Sequence, residues 1–177
     1  MDSILKDTYK EKTDQILTEA KQLIIDNKIL YVEQHYTKFV IFMLSDIYYA
    51  FRAIYIKEIL TVPKITYVPS SPDYIRGVFS LRGDIESVID LSTLMSMPEI
   101  EITSKSRLVI ASIDLANNER FGILLDRLID VLDIDDSKIL PQLTTTSNLN
   151  FVEGGIYHED KYVNIIDIKK IFLKICA

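Results

Sequence analysis

Cysteine and histidine are nearly missing from this chain, and their scarcity removes whole classes of chemistry. The single cysteine, Cys176, lies at the C-terminal end, where no internal disulfide can form and no neighbouring residue suggests a redox role. His35 and His158 are the only histidines, so no metal-ligand spacing and no Cys–His catalytic pair can be assembled, and neither a metal nor a cofactor is expected. Basic charge is also short: Lys plus Arg is 20 against 26 Asp plus Glu, giving a net charge of −6 with no basic run. That balance argues against a phosphate-backbone footprint, so nucleic acid is not an expected partner. No apolar run approaches the roughly 18 residues that span a bilayer. Asp2-Ser3 follows the first methionine without a basic-then-apolar signal pattern, so a cytoplasmic protein without direct membrane insertion is expected. Glycine-rich phosphate loops and Pro/Gly/Ser-rich linkers are absent as well.

What is present is apolar and repetitive. Hydrophobic residues make up 48% of 177 residues, enough for one domain with a substantial core. The most specific stretch, YIRGVFSLRGDIESVIDL from Tyr74 to Leu91, reads as two strands joined by Arg82-Gly83-Asp84, with Gly77 closing a Pro-led turn before the first of them. Adding 77 takes Tyr74, Ile75 and Gly77 to Phe151, Val152 and Gly154, and takes Ser87-Val88-Ile89-Asp90-Leu91 to Asn164-Ile165-Ile166-Asp167-Ile168. A second offset, 72, takes Tyr49-Ala50-Phe51 to Phe121-Gly122-Ile123 and Ile56-Lys57-Glu58-Ile59-Leu60 to Leu128-Ile129-Asp130-Val131-Leu132. Apolar matches alone would be cheap; the ordered Gly and Asp matches point to two copies of one small β unit. Each copy is near the lower size limit for an independent core, so the two should share apolar surface.

In order, residues 2–27 carry Leu5, Tyr9, Thr13, Ile16, Ala20, Leu23 and Ile24 at spacings of three and four, which predicts an amphipathic helix, capped by Asp2 or Ser3, that packs on the domain or is self- or partner-binding. From residue 37 the period changes. Strands are expected at 39–44, 48–54, 56–61, 78–81 and 85–91, with Ser71 capping a single turn that ends at Gly77, and with a helical turn at 92–97. Residues 99–105 form the expected junction. Strands follow at 107–114, 120–126, 128–134, 151–157 and 162–167, with a turn at 115–119, a polar loop at 141–150 and a last helix at 168–176. This organisation gives a helical extension over 1–36 and a mainly β domain over 37–177, with copies over roughly 37–98 and 107–167, each forming a small, nearly closed barrel.

Asp90, Asp126 and Asp167 are the only carboxylates embedded in apolar strands, and a carboxylate-dependent enzyme would have to use them. Asp90 and Asp167 are repeat-equivalent, and catalysis rarely sits in both copies of a repeat, so both read as caps on the helical turns that follow them. Gly77, Gly154, Asp90 and Asp167 are therefore expected to be structural, and a binding module is favoured over an enzyme.

Gly77-Val78-Phe79-Ser80-Leu81-Arg82-Gly83 followed by Val88-Ile89-Asp90-Leu91 closely resembles the G-V-x-N-L-R-G…P-V-x-D-L signature of the chemotaxis coupling (adaptor) protein CheW family. Tyr49-Ala50-Phe51 leading to Ile56-Lys57-Glu58-Ile59, Gly122 to Asp126 leading to Asp130-Val131-Leu132, and Gly154-Gly155 before Ile165-Ile166-Asp167 fall in the same order. The chain departs from the family at Ser80, Ser87 and Ser92, where Asn, Pro and Arg are usual, and residues 1–36 have no counterpart in a minimal member. The resemblance implies two five-stranded SH3-like barrels around a shared core. It implies no catalysis, and a scaffold in two-component signal transduction that joins the cytoplasmic hairpin tip of a chemoreceptor (methyl-accepting chemotaxis protein) to the regulatory domain of the histidine kinase CheA. It further implies recruitment to membrane-associated receptor arrays, and receptor binding by Ile56, Glu58, Leu81, Arg82 and Gly83. A stand-alone regulatory module of another two-component pathway is the alternative within the fold. From the residues themselves, Arg82 at a hairpin tip has two uses, a local pair with Asp84 or a partner contact.

Overall fold

The computed structural model describes residues 17–19, 21, 35–113, 119–142 and 150–176. Two compact units divide the chain, Met1–His35 and Tyr36–Ala177. In the first, residues 17–19 and 21 are helical; the rest of the helix expected over 2–27 lies outside the described residues, as do 115–118 of the expected turn and 143–149 of the polar loop.

The second unit is mainly β. Its strands are β1 (Tyr36–Leu44), β2 (Ile47–Arg52), β3 (Ile56–Thr61), β4 (Ile75–Leu81), β5 (Asp84–Asp90), β6 (Arg107–Ser112), β7 (Arg120–Leu125), β8 (Arg127–Asp135), β9 (Leu140–Pro141), β10 (Val152–His158) and β11 (Lys161–Ile166). Helix α1 (Leu91–Leu94) follows β5, and α2 (Ile168–Ile175) follows β11. Strand β2 stops two residues short of its expected end because Ala53–Tyr55 turn as a 3-10 helix before β3.

Two sheets result. Sheet I has the order β3-β6-β7-β5-β4, and sheet II the order β8-β1-β2-β11-β10-β9. Replacing β3, β6, β7, β5 and β4 by β8, β1, β2, β11 and β10 converts one order into the other, with β9 as an addition. Each sheet thus draws strands from both halves of the chain, so the copies at 37–98 and 107–167 do not coincide with the barrels. The physical reason is the two parallel pairings: β5 lies beside β7, with Val88 opposite Gly122, and β11 lies beside β2, with Ile165 opposite Ala50. Those pairs are related by the same offsets, 77 and 72, that relate the sequence.

The correspondence extends to single hydrogen bonds and irregularities. Asp90 N donates to Tyr74 O at 2.8 Å and Asp167 N donates to Phe151 O at 2.7 Å. A bulge interrupts β4 between Ile75 and Gly77, and an equivalent one interrupts β10 between Val152 and Gly154. Gly77 and Gly154 therefore sit inside strands; neither ends a turn. Gly77 has φ +139°, and a Cβ on it would land on the carbonyl oxygen of Thr66, whose bridge to Val78 covers the outer side of β4. At Gly154 a Cβ would meet the carbonyl oxygen of Leu140 in β9. The single turn expected from Ser71 to Gly77 is replaced by an earlier start of β4, and the Ser71 hydroxyl donates to Val68 O at 2.9 Å.

Alternation along β1 shows how the core is partitioned. Phe39 and Ile41 join Ala50, Ile156, Val163 and Ile165 inside sheet II, while Phe42 and Leu44 face the larger cluster with Phe51, Phe79, Val88, Leu108 and Ile123. A strand with both faces buried needs apolar residues at consecutive positions, which is why 39–44 lacks polar interruption. Phe42 packs on Phe51 with ring centroids 4.4 Å apart, and Phe172 of α2 packs on Phe121 at 6.2 Å. Helix α2 thereby covers the cluster to which both sheets contribute.

Candidate functional site

Strands β4 and β5 are joined by two residues only, Arg82 and Gly83, with Leu81 opposite Asp84 in register. Both turn residues have positive φ, 55° and 101°, the combination that matches the twist of a two-residue hairpin. An arginine held left-handed costs about 1 kcal/mol where glycine or asparagine would be easier. Its side chain, 75% exposed, is what the position gains.

That side chain closes the barrel. Arg82 Nη2 donates to Glu58 Oε2 at 2.9 Å, and Glu58 lies on β3, the far edge of sheet I. In a flat five-stranded sheet the outer strands would stand roughly 19 Å apart. Contact between them requires the sheet to curl on itself. The pair with Asp84 is therefore not made. Asp84 is bound by Arg120 on β7, whose Nη2 lies 2.6 Å from Asp84 and 2.8 Å from Glu86, a carboxylate that is buried on β5. Those two acids, led by the hydrogen bond that Arg120 donates to Asp84, raise the Arg120 pKa above its ordinary value.

The remaining positions differ in accessibility. Leu81 is only 7% exposed and belongs to the core, so it supports the turn from beneath. Ile56 is half-buried against the same core, beside a bulge in β3 between Ile56 and Glu58. Gly83 faces open space. The structure thus brings Glu58, Arg82 and Gly83 together at one exposed corner, with Ile56 two residues from Glu58 and Leu81 below the surface. Arg120 and Glu86 were missed by the sequence reading, although a signal existed. Glu86 alternates with Val88 and Asp90 on the buried face of β5, and a carboxylate in that row requires a cation from a neighbouring strand.

The three carboxylates expected in strands are committed to backbone groups, although only Asp90 lies in one; Asp126 falls between β7 and β8 and Asp167 just after β11. Asp90, with no exposed surface, accepts from Thr93 N at 3.1 Å and from Ile100 N at 3.3 Å, capping α1. Asp167 caps α2 through Lys169 N at 2.9 Å, with backbone angles within a few degrees of those at Asp90. Asp126 accepts from Ser45 N at 2.7 Å and holds the left-handed β1–β2 turn. Among the described residues, no group of three or more His, Cys, Asp or Glu side chains could hold a metal ion, and no helix is long and apolar enough to cross a membrane.

Comparison with known proteins gives a consistent result. The family model of the CheW-like domain matches residues 38–175. The chemotaxis protein CheW of Bacillus subtilis (strain 168) is 31% identical over 139 residues, covering 77% of this chain and 87% of the relative. The chemotaxis protein CheW of Helicobacter pylori is 29% identical over 138 residues, covering 77% and 82%. The crystal structure of the scaffolding protein TtCheW from Thermoanaerobacter tengcongensis superposes with a TM-score of 0.68 at 29% identity, covering 77% of this chain and 87% of that one. Because the family model matches residues 38–175, well over half of the chain, the chain belongs to the CheW-like domain family.

Proposed function

We propose that this protein is a non-catalytic chemotaxis adaptor that couples the cytoplasmic hairpin tip of chemoreceptors to the regulatory domain of the histidine kinase CheA. On this reading it works in the cytoplasm at membrane-associated receptor arrays. The single observation that carries the reading is the corner at Arg82. A guanidinium is kept exposed on a strained two-residue turn, and it is anchored by Glu58 from the opposite edge of the barrel. A rigidly presented fork of donors suits an acidic or carbonyl-rich helical hairpin. Ile56, Glu58, Arg82 and Gly83 form the receptor-contacting surface, and Leu81 sets the height of the turn. The names of the relatives support the adaptor assignment, and the commitment of Asp90, Asp126 and Asp167 to backbone caps supports a protein without catalysis.

A bridging protein must hold both partners at once. Sedimentation of the full chain with a receptor-tip fragment and a kinase regulatory domain should give a ternary complex. Competition between the two fragments for one surface would sink the proposal.

A further inference from the structure

Sheet II carries an aromatic platform for which sheet I has no match. Tyr157 on β10 and Tyr162 on β11 stand directly opposite in register, with ring centroids 5.4 Å apart and planes at 73°. Both face away from the inner cluster of sheet II, which takes the adjacent Ile156 and Val163 instead. Gly155 seats the platform. A Cβ there would collide with the Tyr162 hydroxyl and ring, so only a residue without a side chain lets that ring lie across β10. The parallel pairing of β11 with β2, carried two residues back from Asn164 and Tyr49, sets Ile47 beside Tyr162. Ile47, Tyr157 and Tyr162 are 44%, 64% and 40% exposed, an apolar surface that crosses three neighbouring strands. At the corresponding places sheet I has Glu119, Ser80 and Ile85, with Val78 in place of the seating glycine.

Negative charge borders the platform at one end. Because β2 and β11 run parallel, the β1–β2 turn and the β10–β11 turn come to the same end of the sheet. They place Asp46, Glu159 and Asp160 there, all exposed and all held left-handed, one strand pair beyond Tyr157 and Tyr162. Among the described residues no ion pair engages these three carboxylates. The cations nearby turn to the inner face of the sheet: Lys161 Nζ donates to the Tyr48 hydroxyl at 2.7 Å, and Arg127 Nη2 lies 2.9 Å from Met43 Sδ. We propose that the platform docks a segment of a partner protein that presents an arginine beside an apolar side chain. The exposed ring faces take the planar guanidinium and its apolar neighbour, while the two turns supply the negative field. Acids alone would attract any cation, and rings alone any apolar group; their juxtaposition selects arginine. The same pairing already occurs within the chain, where the Arg52 guanidinium lies 5.5 Å from the Phe39 ring centroid. The platform belongs to sheet II and uses no residue of the Arg82 corner, so it serves an additional partner and does not rest on the adaptor reading.

NMR titration of the full chain with the peptide acetyl-Leu-Arg-Leu-Arg-amide, and with the same peptide carrying citrulline in place of arginine, tests this. Shifts should centre on Ile47, Gly155, Tyr157 and Tyr162, and the arginine peptide should bind at least about tenfold more tightly than the citrulline one. Tyr157→Ser with Tyr162→Ile, which installs the side chains of sheet I, should weaken the arginine peptide about fivefold or more, and Glu159→Gln with Asp160→Asn should do the same. Should the tyrosine double variant fail to fold, Tyr157→Ser alone, at the more exposed ring, decides. No binding, equal binding of the two peptides, affinity unchanged by the tyrosine variants, or shifts spread over acidic residues elsewhere overturns the proposal. Movement of the same resonances on concentrating the protein without peptide would give the surface to a second copy of the chain and equally overturn it.

Discussion

Sheet I joins its outer strands through two permanent charges, Arg82 and Glu58, whereas the equivalent corner of sheet II holds His158 and Asp130. The same substitution of chemistry on a fixed frame recurs one contact further in. Asp84 on β5 meets Arg120 on β7, and at the positions 77 and 72 residues on or back, Lys161 on β11 meets Tyr48 on β2. An ion pair in one sheet is a neutral hydroxyl accepting from an ammonium in the other. Backbone devices, by contrast, are shared: the bulges at Gly77 and Gly154, the hairpins at Arg82-Gly83 and Glu159-Asp160, and the caps at Asp90 and Asp167. The comparison teaches that the fold is held by main-chain geometry duplicated in both sheets, while exposed side-chain contacts are free to differ and so to carry separate functions.

The largest test of that view replaces the shared glycines. Gly77→Ala should cost about 3–5 kcal/mol in urea unfolding, because the added methyl meets the Thr66 carbonyl and the backbone is also left-handed there. Gly154→Ala should cost less, about 2–3 kcal/mol, since only the approach of the Leu140 carbonyl opposes it. Equal and small losses would show that the bulges are not what holds the sheets.

Next in size are the caps. Asp90→Ala strips acceptors from Thr93 and Ile100 at a fully buried site and removes the acid 3.9 Å from Arg76, so about 2–3 kcal/mol is expected. Asp167→Ala removes one exposed cap bond and should cost about 1 kcal/mol. Finding the order reversed by calorimetry would break the claim that burial separates two otherwise equivalent caps.

A smaller effect should distinguish Arg120 from Tyr48. Arg120→Ala leaves Glu86 buried without its cation and should lower the urea midpoint, and adding Glu86→Gln should recover part of the loss. Tyr48→Phe should barely move the midpoint, because Lys161 can turn to water. A double variant no better than Arg120→Ala alone would show that Glu86 does not depend on the pair.

Much of this frame was legible in the sequence because backbone requirements leave few residue choices. The offsets of 77 and 72 located the equivalent glycines and caps, and the Arg82-Gly83 hairpin followed from turn chemistry. Which strands share a sheet was not legible. The repeat suggested one barrel per half, but the parallel pairings of β5 with β7 and β11 with β2 exchange strands between halves, and periodicity carries no information about such partners. The intramolecular partner of Arg82 was not legible for the same reason: the sequence left a local pair with Asp84 or a partner contact open, and Glu58 becomes near only once the sheet closes. Leu81 reads as a surface position from its place in the family motif, yet strand alternation turns it inward with Phe79.

Arg82 pairs with Glu58 across the sheet and is also the residue we propose to meet the receptor, and a charge swap separates the two roles. Arg82→Glu alone places two acids against each other and should weaken both folding and receptor binding; Arg82→Glu with Glu58→Arg restores the pair in reverse. Titration of the swapped protein with the receptor-tip fragment, beside its melting curve and a titration with the kinase domain, is the most direct measurement. The account predicts melting and kinase affinity close to those of the unmodified protein with receptor affinity at least about tenfold weaker, roughly 1.4 kcal/mol. Recovery of receptor affinity along with stability would show that the Glu58–Arg82 corner only closes the barrel and does not meet the receptor.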